Sequence, residues 1–172
     1  MEKSLALMQH LELPYFQVNG VYFQGDESEA KENYNNSEFA NIDFDNFEEY
    51  CYEYCLLVEE DYTDINDDYL VLTDEEADKK AAEYIKESVW AFTAEFIVDH
   101  SKLPYEAVEM VQAFQEKYED ANKTILALIE DFDEFVSDAI SADGRGHFMN
   151  SYDGHEHEVN IDGTYYYVYR MN

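Results

Sequence analysis

Tyr69-Leu70-Val71-Leu72-Thr73-Asp74-Glu75-Glu76 carries two structural instructions side by side. Tyr69 to Leu72 is a short aromatic and aliphatic run of the kind found in buried strands. Thr73 followed three residues later by Glu76 is a capping box, and its carboxylates stand against the positive end of a helix dipole. A strand that hands over to a helix within one residue predicts a fold that mixes the two.

Downstream, Ala77, Ala81, Ile85, Val89 or Trp90, and Phe92 form one apolar stripe, predicting a helix from the capping box to about residue 99. Pro104 opens a second helix to about 118, since proline is tolerated where a helix starts. Asn122 caps a third to about 141, with Ile125, Leu128, Ile129, Phe132, Val136 and Ile140 facing inward. Gly144 and Gly146 break the helical pattern, and Ile161-Asp-Gly-Thr164 with Tyr165 to Tyr169 predicts a terminal hairpin or strand.

Upstream, residues 26–41 are polar without a clear period and read as a loop, while DFDNFEEYCYEYCLL spaces Phe44, Phe47, Tyr50 or Cys51, Tyr54 and Cys55 as on a helix over about 43–58. At residues 14–25, two aromatic and β-branched runs flank Asn19-Gly20, whose preference for positive φ suits a type I′ hairpin turn. The expected fold class is α+β: three to four helices packed with short antiparallel strands in one compact domain over residues 1–172. Within it lie an acidic region at 26–78, a helical region at 73–141, and a Gly-rich loop and strand at 142–172.

At 172 residues and 46% hydrophobic content the chain can bury a core without disulfide staples, so it is expected to fold rather than behave as an acidic tail. Cys51 and Cys55, four residues apart, are expected to be reduced core thiols, because no further thiol or imidazole ligands stand at zinc-site spacing. The opening MEKSLALMQHLELPYF lacks a basic stretch followed by a long apolar run and a cleavage site, so no signal peptide is expected. No window approaches the apolar length of a membrane span.

The charge is extreme. Against 41 acids stand 10 basic residues, a net −31, so most carboxylates have no internal cation to pair with. Such a field repels phosphate backbones and anionic lipid and attracts basic surfaces. Residues 26–78 hold 20 acids and one base, Lys31. On the predicted third helix Glu130, Glu134 and Asp138 recur every fourth residue. Duplex DNA carries a charge per ~1.7 Å of axis, so the net charge matches the phosphates of about fifteen base pairs. The carboxylates singled out for contact with a basic partner are Glu48, Glu49, Glu53, Glu59, Glu60, Asp61, Asp64, Asp67 and Asp68, with Glu130, Glu134 and Asp138 as a second set.

Motifs for chemistry are few. Asp64, Asn66, Asp68 and Glu75 fall at positions 1, 3, 5 and 12 of a calcium-loop pattern, but Tyr69 stands where the pattern demands glycine. His155-Glu-His157, with His147 nearby, is a weak metal-ligand pattern better read as a solvated turn. There is no Gly-rich phosphate loop, nucleophile elbow or HExxH helix. No cofactor and no metal are expected. The densest cluster is DGRGHFMNSYDGHEHE, residues 143–158, with three of six glycines, one of two arginines and three of five histidines. Its Asp143, Arg145, His147, Ser151, Tyr152 and Asp153 include acid, base and anion-holding groups. A Gly-punctuated turn in which Arg145 pairs with a carboxylate and His147 caps a backbone group needs the same residues, and that structural role is the preferred expectation.

LVLTDEEAD at 70–78, DGRGHFMNSYDGHEHE and the terminal YYVYRMN together resemble a family of small acidic proteins of bacteriophages and other mobile elements. The resemblance covers roughly 40 residues and none of the first 69. It implies a phage or mobile-element protein acting in a bacterial cytoplasm, a context that fits host-defence counteraction such as anti-CRISPR or antirestriction DNA mimicry, an activity that the family itself does not assign. The leading expectation is therefore a non-catalytic inhibitor that occupies a basic groove of a host nucleic-acid-handling protein, with no direct binding to nucleic acid or membrane. The alternatives are a small enzyme or ligand-binding domain built on the Gly-rich loop, and a structural phage protein.

Overall fold

Tyr69–Leu72 is a strand and a helix begins at Asp74, as the capping box predicts. The computed structural model describes residues 1–36, 46–58, 67–117 and 121–172. The fold is α+β, as expected, with two small antiparallel sheets. The chain divides into two compact units: residues 1–73, 157–170 and 172 form the first, and residues 74–156 with 171 form the second.

The first unit contains α1 (Glu2–His10), β1 (Tyr15–Val18), β2 (Val21–Gln24), α2 (Glu27–Asn36), α3 (Phe47–Tyr54), β3 (Tyr69–Leu72), β4 (His157–Ile161) and β5 (Thr164–Arg170). The β1–β2 hairpin turns at Asn19 (φ 48°) and Gly20 (φ 88°), the left-handed conformations that the dipeptide was read to supply. The same chemistry recurs at Asp162 (φ 50°) and Gly163 (φ 92°), which close β4 on β5. β5 is central in the sheet order β3-β5-β4. α1 packs on this sheet, and Leu5, Met8, Val58, Val71, Val159, Tyr166 and Val168 fill the space between. The Tyr166 hydroxyl donates to the Glu2 carboxylate. A second core lies under the hairpin, α2 and α3, where Phe16, Phe23, Ala30, Tyr50 and Cys51 are buried together.

The polar stretch read as a loop over 26–41 is helical from Glu27 to Asn36. Polarity misleads there because the helix buries only Ala30 and is held from its ends and surface: the Asp26 side chain accepts from the backbone N–H of Ser28 and Glu29, and Lys31 pairs with Glu27 one turn back. Residues 37–45, the start of the helix predicted at 43, lie outside the described residues. α3 begins at Phe47 behind the Asn46 cap and ends at Tyr54 rather than 58. Leu56 to Val58 then run beside β2, where Leu56 C=O accepts from Gln24 N–H at 2.8 Å and Val58 N–H donates to Tyr22 C=O at 2.9 Å.

The second unit contains α4 (Asp74–Ser88), α5 (Ala94–Asp99), α6 (Val108–Lys117), α7 (Ala121–Leu126), α8 (Phe132–Asp143) and α9 (Arg145–Met149). The described residues thus hold nine α-helices where three to four were expected: α1, α2 and α9 fall in stretches read without a helix, and caps and a 3₁₀ turn split two of the long apolar stripes. The predicted 73–99 helix stops at Ser88, passes through a 3₁₀ turn at Val89–Ala91, and restarts where the Thr93 hydroxyl accepts from Phe96 N–H. Pro104 precedes a 3₁₀ turn at Tyr105–Ala107 before α6. Asn122 is not a cap: it sits inside α7 and clamps the end of α4, its Oδ1 accepting from Trp90 N–H at 3.2 Å and its Nδ2 donating to Lys86 C=O at 2.9 Å. Asp131 caps α8 instead, so Phe135 and Ala139 are buried in place of Val136 and Ile140. The predicted Gly-rich loop contains α9. No helix among the described residues is long and apolar enough to cross a membrane.

Cys51 and Cys55 are free thiols, Cys51 fully buried. Burial, then Cys55, then the Glu27 and Glu48 carboxylates push the Cys51 thiol up to about 12. A raised pKa favours the neutral thiol in the folded state, so its contribution is complete below the unfolded value of ~8.5 and is lost as pH climbs toward 12, by roughly 1 kcal/mol per pH unit. Thiol titration at pH 8 is expected to label Cys55 first and Cys51 only on unfolding. Stability measured by urea melts is expected to fall above pH 9, more steeply than in Cys51→Ser.

Candidate functional site

α2 and α3 pack together over Ala30, Tyr50 and Cys51 and turn their acids outward. Glu27, Glu29 and Glu32 are exposed on α2; on α3 Glu49 and Glu53 are exposed and Glu48 is half-buried. Glu48 accepts from the Asn19 amide at 2.5 Å, which ties the hairpin turn to this face. Beside the acids stand Tyr52, Tyr54, Leu56 and Leu57, all exposed, Leu56 at 71%. Sequence reading assigned such aromatics mainly to the core. Tyr54, read on the apolar face with Tyr50 and Cys51, is instead exposed at the last residue of α3, whereas Tyr52 lies off that face by helical phase.

Asp67 and Asp68 are exposed just before β3 in the same unit, and Asp68 accepts from the Asn172 amide at 3.0 Å. Glu59, Glu60, Asp61 and Asp64 lie outside the described residues, as does Asn66 of the calcium-loop pattern. That pattern's glycine position, Tyr69, starts a strand, which is incompatible with the turn the loop requires.

The stripe of Glu130, Glu134 and Asp138 does not form as read. Glu130 precedes α8 and pairs with Lys102 at 3.1 Å, while its N–H donates to His100 C=O. Asp138 meets His100 Nε2 at 3.2 Å. Glu134 lies in the first turn of α8, with its own N–H capped by Asp131. This set belongs to the second unit, whereas Glu48, Glu49, Glu53, Asp67 and Asp68 belong to the first.

The Gly-rich segment divides by chemistry. Arg145, its side chain 11% exposed, donates to Asp74 Oδ1 at 2.7 Å, Asp78 Oδ1 at 2.9 Å and both carboxylate oxygens of Glu156 at 2.8 and 3.0 Å. Its guanidinium is committed to these three carboxylates and joins the start of α4 to the end of the segment. Gly146 lies so close to the returning chain that an added Cβ would stand 2.4 Å from Gly154 O. Asn150, a buried polar residue that sequence reading passed over, organises the turn: its Oδ1 accepts from Tyr152 and Asp153 N–H, and its Nδ2 donates to His155 C=O at 2.7 Å. An Asn two and three residues before such N–H groups is the Asx-turn signal that could have found it. Asp153 in turn accepts from His155 N–H, and Tyr152 is exposed. Ser151, also exposed, is brought into no constellation with these groups.

Asp143 and His147 are placed differently from Arg145. Both line a cavity of about 310 Å³ whose walls are Tyr84, Phe92, Phe96 and Phe148, with Ala91, Ala139 and Ala142 supplying its small-residue surface. The His155-Glu-His157 pattern gathers no metal site: among the described residues no cluster of three metal-ligating side chains occurs, and the His157 ring packs on His10 at 4.7 Å.

Comparison with protein-family models, with curated proteins and with solved structures found no match.

Removing the Arg145 guanidinium leaves three carboxylates facing one another, two of them largely exposed, so solvent screening moderates the loss. Arg145→Ala is expected to cost about 2 kcal/mol, with Arg145→Lys recovering only part because one ammonium cannot donate in three directions from a planar fork. Gly146→Ala is expected to cost ~2–3 kcal/mol through the backbone clash. Urea midpoints at constant slope check all three.

Proposed function

We propose that this chain is an acidic, non-catalytic inhibitor that occupies a basic groove of a host nucleic-acid-handling protein, in the manner of anti-CRISPR or antirestriction nucleic-acid mimics. The observation that carries the reading is the α2–α3 face, where six carboxylates project beside exposed Tyr52, Tyr54 and Leu56. The first unit holds 20 acids against Lys3, Lys31 and Arg170 alone, so its field is not cancelled internally. Carboxylates steer a basic partner and accept charge-assisted hydrogen bonds from its Arg and Lys side chains. The tyrosines and leucines add the apolar contact that phosphate mimicry by charge alone lacks, and such aromatics are the usual energetic anchors of an interface. The commitment of Arg145 to Asp74, Asp78 and Glu156 also favours a structural role over catalysis for that residue.

The immobilised chain is expected to capture from bacterial lysate a nucleic-acid-binding protein or complex that moderate salt releases and duplex DNA displaces. Combined Glu48→Gln, Glu49→Gln and Glu53→Gln is expected to weaken that capture roughly tenfold or more, while the thermal midpoint stays level or rises as self-repulsion falls. Capture indifferent to salt, to DNA and to these substitutions overturns the reading.

A further inference from the structure

Phe92, Phe96 and Phe148 wall a cavity of about 310 Å³ in the second unit, with Tyr84 at its edge still half-exposed. That volume lies at the small end of ligand pockets, which span ~300–1,000 Å³. The walls are already rigid: Phe92 stacks on Phe96 and Phe148 at 5.4 and 6.1 Å, and both Phe92 and Phe96 meet the buried Phe135 edge-on. Ala91, Ala139 and Ala142 leave the space open because they carry no side chain long enough to fill it.

Two of the polar lining groups are already committed. The Ser88 hydroxyl is committed to Tyr84 C=O and the Thr93 hydroxyl to the cap of α5. Among the described residues Asp143 is the only acidic lining group, His147 supplies the only imidazole, and no Lys or Arg lines the cavity. The Asp143 carboxylate has no hydrogen bond or ion pair among them either. The nearby guanidinium, Arg145, is not part of the lining and is fully engaged with its own three carboxylates. His147 is fixed edge-on to Phe148 at 5.1 Å.

We propose that this cavity is a binding site for a small organic cation with a planar aromatic body, an arylalkylamine in chemical class, whose ring lies among Phe92, Phe96 and Phe148 and whose ammonium meets Asp143. Aromatic faces attract a cation as well as an apolar ring. The carboxylate at the rim supplies a charge-assisted acceptor that no described residue uses. The surrounding field of a −31 chain concentrates cations and disfavours anions at the same mouth. All the residues involved lie in the second unit, so the site stands or falls independently of the acidic face on α2 and α3. It gives the Gly-rich segment a ligand-binding role alongside the structural one of Arg145.

Three ligands of one shape and different charge separate this site from general attraction of cations: tryptamine, tryptophol and indole-3-propionate, titrated into the full-length protein at physiological ionic strength and followed by calorimetry and by amide NMR shifts. Tryptamine is expected to bind, tryptophol roughly tenfold more weakly, and indole-3-propionate not measurably, with shifts centred on Ala142, Asp143, His147 and Phe148. Asp143→Asn is expected to bring tryptamine down to the level of tryptophol, whereas Glu106→Gln, which removes one charge from an exposed position outside the lining, leaves it unchanged. Ala142→Leu, at an exposed position that tolerates the larger side chain, is expected to abolish binding of both. Absence of tryptamine binding, equal binding of the anion, or an Asp143→Asn effect no larger than that of Glu106→Gln overturns the proposal.

Discussion

A carboxylate without a partner resists removal from water, and this chain holds 41 acids against 10 bases. Several local structures keep those groups wet or give them a specific donor. Asp26 and Asp131 are spent on backbone N–H groups at the starts of α2 and α8, where a negative charge also meets the favourable end of the helix dipole. Glu48 takes the Asn19 amide and Asp68 takes the Asn172 amide. Arg145 serves three carboxylates at once, which makes a single cation organise the start of α4 and the turn after α9.

With charge excluded from the interior, aromatic and small residues divide the core between them. In the first unit the sheet and α1 enclose aliphatic side chains and Tyr166, while Phe16, Phe23 and Tyr50 pack under the hairpin. In the second, Phe92, Phe96, Phe135 and Phe148 stack as one cluster beside alanines. The rings beside Ala91, Ala139 and Ala142 leave space unfilled, and the cavity at Asp143 and His147 is that gap. The acidic face and the cavity are therefore two consequences of one composition: charge pushed outward, rings gathered inward.

Much of the fold was legible because local chemistry demands it. Asn19-Gly20 and Asp162-Gly163 prefer positive φ almost regardless of context, and both close hairpins. The strand at 69–72 and the helix start at Asp74 follow from a β-type run meeting a capping box. The failures have physical causes as well. α2 is too polar to show a periodic face and is held by an Asx cap and an i,i+4 pair. The long helices were over-read because apolar spacing continues across Val89–Ala91 and Leu126–Phe132, while the backbone there is diverted by Thr93, Asn122 and Asp131.

The sequence by itself determined the sign and size of the charge, the α+β class and the turn positions, since each depends on composition or on residues a few positions apart. Only the tertiary structure decided which three carboxylates Arg145 meets, because Asp74 and Asp78 are about seventy residues away along the chain. It also decided that Asp143 and His147 face a cavity while their neighbour Arg145 does not, and that Tyr52, Tyr54 and Leu56 stand in solvent. Those facts depend on the phase at which helices stop and restart and on which distant side chains then fill the space, and neither is encoded at short range.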